Sequence, residues 1–384
     1  VFYDRMALVD SAVNAGFIWI LFLSLVLVKT RRLDIALLMG FVGGIALLAK
    51  SSSRMFLGLT ATAPLLYLGL WKKDKTSLFS NSLNYFFLLG VVAFISLLFY
   101  NIQMLSPYMH YVELKNTTFI MTGAEFMAEP FKFFKNNIFN IPLYVAWEAG
   151  WIIVGSSVIG YALLIKKDRL LALYLSVFVI VPYIAIAFFA KVLFPRYVLF
   201  FASLLVLFAT YFFLSLKNKR QLIASMGVLL VSMSVYNYAL LFDPPRASFP
   251  PVDRGQYVEG STAVWGVERL MALVREVSRN RPVLILAEGD FGLIADVLRV
   301  YDQPDDAIDV LGLWPLTDEH LYDYQGELER RDVFVVYGHR EDFPDHLPIE
   351  LVEEYKKPGN KKSLYLFKLL PPQGEAKGGR IKDQ

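Results

Sequence analysis

Two basic side chains stand out because each lies at the edge of a long apolar stretch. Lys50 ends one such stretch and is followed by three serines and Arg54, and Arg196 lies in Phe194-Pro195-Arg196-Tyr197, just before another. At headgroup depth both are placed to hold a phosphate. The arginine fork does so bidentately and the lysine ammonium as a point charge. Carboxylates stand nearby in the pattern: Asp4 beside Arg5 in Tyr3-Asp4-Arg5, then Asp10, and Glu148 at the start of a later apolar stretch. Such groups can accept a proton, bind a sugar hydroxyl or ligate a divalent cation. A plainer reading needs no ligand, with Lys50 and Arg196 snorkelling to an interface as anchors. Both readings stay open on the residues alone.

The elements that must position these residues are apolar and long. Eight stretches are expected to be membrane spans: Ala12–Val28, Leu33–Ala49, Met55–Trp71, Tyr85–Leu105, Ala146–Ile165, Leu170–Ala190, Tyr197–Leu216 and Leu222–Phe242. Each is close to the ~17–25 residues that cross ~30 Å of hydrocarbon as a helix, and helices pair their backbone groups internally, as lipid requires. Every second gap is short and basic: Lys29/Arg31/Arg32, Lys72/Lys73/Lys75, Lys166/Lys167/Arg169 and Lys217/Lys219/Arg220. The positive-inside rule puts those gaps in the cytoplasm. Asp4, Arg5, Asp10, Lys50, Glu148, Arg196 and Tyr197 then all face the outer side of a multi-pass plasma (inner) membrane protein. The chain begins at Val1 with a charged segment and no signal-peptide pattern. The expectation is a fragment whose earlier spans are missing.

Composition agrees with that class. The chain is 56% hydrophobic and 15% aromatic, with a mean hydropathy of +0.46, far from an ordinary soluble domain. Net charge is only +3 and the basic residues sit at span edges. They read as topology signals, not as a nucleic-acid footprint. There is no cysteine, which excludes disulfides, thiolate catalysis and cysteine-ligated metals. The four histidines, His110, His320, His339 and His346, lack metal-ligand spacing, so a metal requirement stays open.

Three parts follow. Residues 1–242 form the membrane body, where Gly40, Gly43 and Gly44 should permit close helix contact. Within it, the outer loop 106–141 mixes Phe and Met with Glu and Lys at helical spacing between Gly123 and Phe139. One or two amphipathic helices on the membrane surface are expected there. Asn116-Thr117-Thr118 fits a glycosylation sequon, a weak three-residue pattern. Residues 243–370 open with Pro244, Pro245, Pro250 and Pro251 and read as a soluble α/β domain. Helices are expected at Ala263–Arg279 and Leu293–Tyr301. Strands are expected at Pro282–Ala287, Ile308–Leu311, Asp332–Tyr337 and Ser363–Leu369. Residues 371–384 read as a disordered tail.

Tyr3-Asp4-Arg5-Met6-Ala7-Leu8-Val9-Asp10-Ser11, then Gly43-Gly44-Ile45-Ala46-Leu47-Leu48-Ala49-Lys50, then Pro195-Arg196-Tyr197 follow one another on one side of the body. In that order they resemble the polyprenyl-phosphate-sugar glycosyltransferases of the GT-C fold, in particular bacterial protein O-mannosyltransferases and the lipid A aminoarabinose transferase. The resemblance covers roughly residues 1–242. It implies a lipid-linked sugar donor, an outer-face carboxylate as general base, and inverting transfer to an acceptor protein or glycolipid. Lys50 and Arg196 become phosphate partners, Asp10 a supporting carboxylate, and Asp4, Arg5, Tyr197 and Glu148 substrate neighbours. It departs from the family in two places. The family's catalytic aspartate belongs to a loop that would precede Val1. Ala49 also stands where the family has an acidic residue before the lysine.

Two other functions compete. A transporter or flippase for lipid-linked glycans predicts charged or broken helices at midplane. A non-catalytic anchor displaying a glycan- or protein-binding domain predicts no grouping of Asp10, Lys50 and Arg196. In the C-terminal domain, Glu288-Gly289-Asp290-Phe291-Gly292 ends a strand, where α/β domains bind ligands. It reads equally as a plain strand-to-helix turn with Asp290 as N-cap. Trp265 and Trp314-Pro315 either stack on a sugar or pack the core.

Overall fold

The computed structural model describes residues 8–70, 75–289, 293–359 and 361–372. Asp4 and Arg5, Asp290 as an N-cap, and nearly all of the expected tail lie outside the described residues. The chain divides into two compact units, Val1–Phe242 and Asp243–Gln384.

The first unit is helical. Its elements are α1 (Asp10–Thr30), α2 (Leu33–Ala49), α3 (Ser53–Leu59), α4 (Lys75–Asn101), α5 (Met109–Phe119), α6 (Gly123–Ala128), α7 (Phe134–Ala149), α8 (Trp151–Lys167), α9 (Arg169–Phe189), α10 (Leu199–Ser215) and α11 (Lys219–Phe242). Among the described residues, five helical segments are long and apolar enough to cross a membrane: Asp10–Thr30, Thr76–Leu105, Arg169–Phe189, Pro195–Ser215 and Lys219–Phe242. They account for five of the eight expected spans, and the other three stretches differ. The second forms α2, apolar but only 17 residues long. The third is α-helical only as far as Leu59 and then becomes an 11-residue 3-10 helix, Thr60–Leu70. Pro64 inside it cannot donate a backbone hydrogen bond. The hydroxyls of Thr60 and Thr62 donate to the carbonyls of Leu57 and Leu59, which loosens the regular ladder further. The fifth stretch, expected as one span over Ala146–Ile165, is broken. Helices α7 and α8 meet at 106° at Gly150, whose φ of +81° no side chain adopts easily.

Close packing holds the bundle. A Cβ added at Gly40, Gly43 or Gly44 would lie within 2.8 Å of Ile95, Ser96 or Phe99, so these glycines let α2 lie against α4. Gly160 does the same for α8 and α10, because a Cβ there would lie 1.9 Å from the Phe208 carbonyl oxygen. Helix α1 supplies much of the buried surface through Phe17, Ile20, Leu21, Leu23 and Leu27. The Phe17 ring packs against Phe56, Phe178 and Phe200. The buried Ser24 hydroxyl is satisfied by Tyr174 at 2.6 Å.

In the stretch expected to be helical, Gly123 to Phe139, lie α6, closed by a Thr122/Glu125 capping box, and the start of α7, while α5 precedes that stretch. The connection from α4 to α7 is tied to the end of α9. Ile120 pairs with Ala190, and Met121 N–H donates to the Phe189 carbonyl. Lys191 bonds the Thr117 carbonyl and Glu125.

The second unit is a five-stranded sheet with helices on both faces. After α12 (Pro251–Arg254) come α13 (Val267–Ser278), β1 (Val283–Glu288), α14 (Ile294–Tyr301), β2 (Ile308–Leu313), α15 (Asp318–Asp323), β3 (Asp332–Tyr337), β4 (Ile349–Lys356) and β5 (Ser363–Leu369). The strand order is β2-β1-β3-β5-β4. Strands β2 and β3 run parallel to β1, while β5 is antiparallel to both β3 and β4. Alternation along β1 sends Val283, Ile285 and Ala287 to a core with α13 and α14. Leu284 and Leu286 face the opposite core, with Leu316 and Leu321.

Candidate functional site

Asp10 opens α1 and is 6% exposed. Lys50 is the first residue past α2, in extended conformation. A tight turn fixes it. Ser53 N–H donates to the Lys50 carbonyl, and the buried Ser53 hydroxyl donates to the Ala46 carbonyl, an acceptor in the last turn of α2. Arg196 lies in a short 3-10 turn, Pro195–Val198, whose proline is buried at the first position. This turn leads directly into α10, so the guanidinium is set by the helix that follows.

These three elements bring their charges together. Lys50 Nζ donates to Asp10 Oδ1 at 2.7 Å, and Arg196 Nε lies 3.5 Å from Asp10 Oδ2. One carboxylate therefore stands between an ammonium and a guanidinium, and the group of three carries one net positive charge. Aromatic rings wall it in. Lys50 Nζ sits 4.0 Å from the centre of the Tyr197 ring, and the Arg196 guanidinium lies 4.3 Å from Phe194 and 5.1 Å from Tyr197. Phe119, from the tied-down connection, meets Tyr197 edge-on at 6.5 Å. The side chain of Asp10 is 7% exposed, that of Arg196 11% and that of Lys50 32%. Solvent thus reaches the cluster from the lysine side.

No family model matches the chain, and no curated protein matches its sequence.

Glu148 falls in the last turn of α7, two residues before the break at Gly150, with both carboxylate oxygens shielded from solvent. Arg54 turns toward α4, its guanidinium 4.3 Å from the Tyr100 ring. Among the described residues, no group of three acidic or histidine side chains is placed to hold a metal. Sequence reasoning missed two contributors. Ser53 was only one of three serines, and nothing in its neighbours marks it as the one that closes the turn. Phe119 reaches Tyr197 only because Ile120 pairs with Ala190, a single bridge with no periodic signal.

The arrangement is suited to an anion. A phosphate reaching Lys50 and Arg196 would meet charge-assisted donors in a partly desolvated setting. The Asp10 carboxylate accepts from Lys50 on one oxygen and lies beside Arg196 on the other, an arrangement that holds the two cations side by side.

Proposed function

We propose that this chain is a membrane glycosyltransferase that uses a sugar carried on polyprenyl phosphate. The observation that supports it is the meeting of Lys50 and Arg196 on one carboxylate, although 145 sequence positions separate them in numbering (196 minus 50, less one). A plain interface anchor needs no such convergence. In this reading the basic gaps face the cytoplasm and the Asp10 end of the bundle faces outward, together with the C-terminal unit. An acceptor hydroxyl on a protein or glycolipid attacks the anomeric carbon, and the bond from that carbon to the lipid phosphate oxygen breaks. The proton passes to a base other than Asp10. The leaving phosphate keeps the bonding pair, and Lys50 and Arg196 stabilise its charge as it develops. Tyr197 and the Phe119 ring form the wall beside it.

A binding measurement tests this reading. The full chain in detergent is titrated with polyprenyl phosphate and, as an uncharged control, with polyprenol. The reading expects tighter binding of the phosphate, with a loss of at least about tenfold for Lys50→Ala and for Arg196→Ala, since removing one charge-assisted bond costs about 1.5 kcal/mol or more. Equal binding of the two lipids, or no loss in either variant, would overturn it.

One observation favours a second reading, a transporter for a lipid-linked glycan. The 106° break between α7 and α8, next to the shielded carboxylate of Glu148, has the form of a discontinuous helix. Uptake of a labelled lipid-linked glycan into vesicles, lost in Glu148→Gln, would support transport over transfer.

A further inference from the structure

The C-terminal unit carries a second constellation, independent of the phosphate reading. Strands β1, β2 and β3 are parallel, so their carboxyl ends lie side by side at Glu288, Leu313 and Tyr337. Past these ends the chain leaves in opposite directions. From β1 it enters α14, whose Ile294, Ala295 and Leu298 pack on one face of the sheet. From β2 it enters the segment of Leu316 and Leu321, which pack on the other. Such a divergence opens a crevice at the strand ends, the usual ligand position in open α/β sheets.

In nucleotide-binding sheets of this kind, a phosphate sits there on free backbone N–H groups. Among the described residues, the N–H groups that follow β3 are already taken. The N–H groups of Gly338 and His339 donate to Glu288 Oε2 at 2.8 and 2.6 Å, and that of Arg340 approaches it at 3.4 Å. Glu288 is 7% exposed. Gly338 packs closely beside α14, since a Cβ there would lie 2.3 Å from Ile294 Cδ1 and the end of that side chain would have to move. An internal carboxylate thus fills the anion nest, and an incoming phosphate would meet both a full site and a like charge.

What the crevice offers instead lies on its rim. Trp314 follows β2 and is 59% exposed. Its indole meets the His339 ring at 5.0 Å and 68°, an edge contact that leaves a face of the indole uncovered. His339 Nδ1 lies 3.6 Å from Glu288 Oε2 and is shielded from solvent, so the other ring nitrogen is the one left for a ligand. Arg340 pairs with Asp318 at the start of α15, which sets a donor and an acceptor side by side with no net charge.

We propose that this rim binds a neutral saccharide. A pyranose has an apolar C–H face, which suits the open indole. Its hydroxyls both donate and accept, which suits His339 and the Arg340–Asp318 pair. Among the described residues at this rim, Glu288 is held by N–H donors and Arg340 by Asp318, so neither is left to select a phosphate or carboxylate ligand.

The test uses the full chain in detergent, with Lys50→Ala and Arg196→Ala introduced together to remove the other anion site. Isothermal titration is run with mannose, glucose, galactose, arabinose, N-acetylglucosamine and their trisaccharides, and with inorganic phosphate and ATP. The expected result is millimolar or tighter binding of at least one saccharide, and none of phosphate or ATP. Trp314→Ala should weaken the saccharide by about tenfold or more. Trp314→Leu should do the same while keeping an apolar side chain, and its amide NMR spectrum should otherwise match the parent. Trp265→Leu, in the same unit and 36% exposed, should bind as the parent does. Binding of no saccharide, saccharide binding that survives both Trp314 variants, or displacement by ATP would each overturn the proposal.

Discussion

Replacing Asp10 by Asn tests whether one carboxylate truly balances the two cations. The substitution keeps the volume and one acceptor oxygen, removes the charge and turns the other oxygen into an NH2 donor. Lys50 at 2.7 Å and Arg196 at 3.5 Å would then face each other with no counter-ion between them. Breaking a buried ion pair by removing one partner costs about 3–5 kcal/mol. The lower end applies here, because the Lys50 side chain is 32% exposed and can be partly rehydrated. About 3 kcal/mol in a unit of this size corresponds to a fall in melting temperature of about 6–12 °C. The loss should be recoverable. A ligand that binds only the folded state at a hundred times its Kd returns about 2.7 kcal/mol, nearly the whole deficit. Polyprenyl phosphate at saturation should therefore restore most of the lost melting temperature in the variant.

Thermal melting of the purified chain in detergent, with polyprenyl phosphate or polyprenol present, measures both halves. In the parent protein the phosphate must share the cations with Asp10, so its stabilising effect should be smaller than in the variant. A variant that melts with the parent would show that the three charges are not coupled. A destabilised variant that polyprenol rescues as well as polyprenyl phosphate would show that the cations do not recognise phosphate.

Gly160→Leu should abolish the α8–α10 contact, since even a Cβ would lie 1.9 Å from the Phe208 carbonyl oxygen. Overpacking of this kind costs about 1–3 kcal/mol, and the variant should elute aggregated in size-exclusion chromatography while Gly90→Leu, whose site is open, elutes as the parent does. The Lys191 and Thr122 contacts hold the Glu125 carboxyl down at about 2, against an ordinary 4.5. A lowered carboxyl stabilises fully above its ordinary range and loses that contribution as pH falls through about 2. Relative to its cutting of an unstructured peptide at each pH, pepsin should therefore cut the α5–α6 connection slowly at pH 4 and faster near pH 2, with the relative rate for Glu125→Gln the same at both. Burial lowers the Lys357 ammonium to about 8 from 10.5. Between those values the unfolded chain holds the extra proton, so the C-terminal unit should gain stability as pH rises from 8 to 10.5, by up to about 3 kcal/mol. Hydrogen exchange of β5 amides, corrected for intrinsic rate, should show this gain in the parent and not in Lys357→Met.

The residues of the Asp10 cluster were legible because a membrane edge is where a long apolar helix must end and where charge can be tolerated. Lys50 and Arg196 announce themselves by position. That they share one carboxylate was not legible. It depends on how α1, α2 and α10 pack, and at Gly16, where a Cβ would lie 2.7 Å from Ala46 Cβ, the approach of α1 to α2 is set by the backbone and not by any pattern of polarity. Hydropathy also overstated the continuity of two stretches. Met55–Trp71 and Ala146–Ile165 are apolar throughout, yet Pro64 and the bonded hydroxyls of Thr60 and Thr62 turn one into a 3-10 helix, and the left-handed Gly150 bends the other through 106°. A window of hydropathy averages over both.

In the C-terminal unit the buried strands were legible because β1 and β3 are apolar on both faces, as parallel strands between helix layers must be. Strand β4 (IELVEEYK) was missed for the opposite reason. It is an edge strand with most of its residues exposed, and its glutamates mark the kind of charged edge that resists pairing with another chain. Glu288 shows the limit of reading a motif for its chemistry. At the end of a strand, before a glycine, an acidic residue reads as a ligand group. In the folded unit its carboxylate is the ligand, held by the N–H groups of Gly338 and His339. The chemistry of the crevice passes to Trp314 and His339, two residues 25 positions apart in numbering (339 minus 314) that only the β2-β1-β3 strand order brings face to edge.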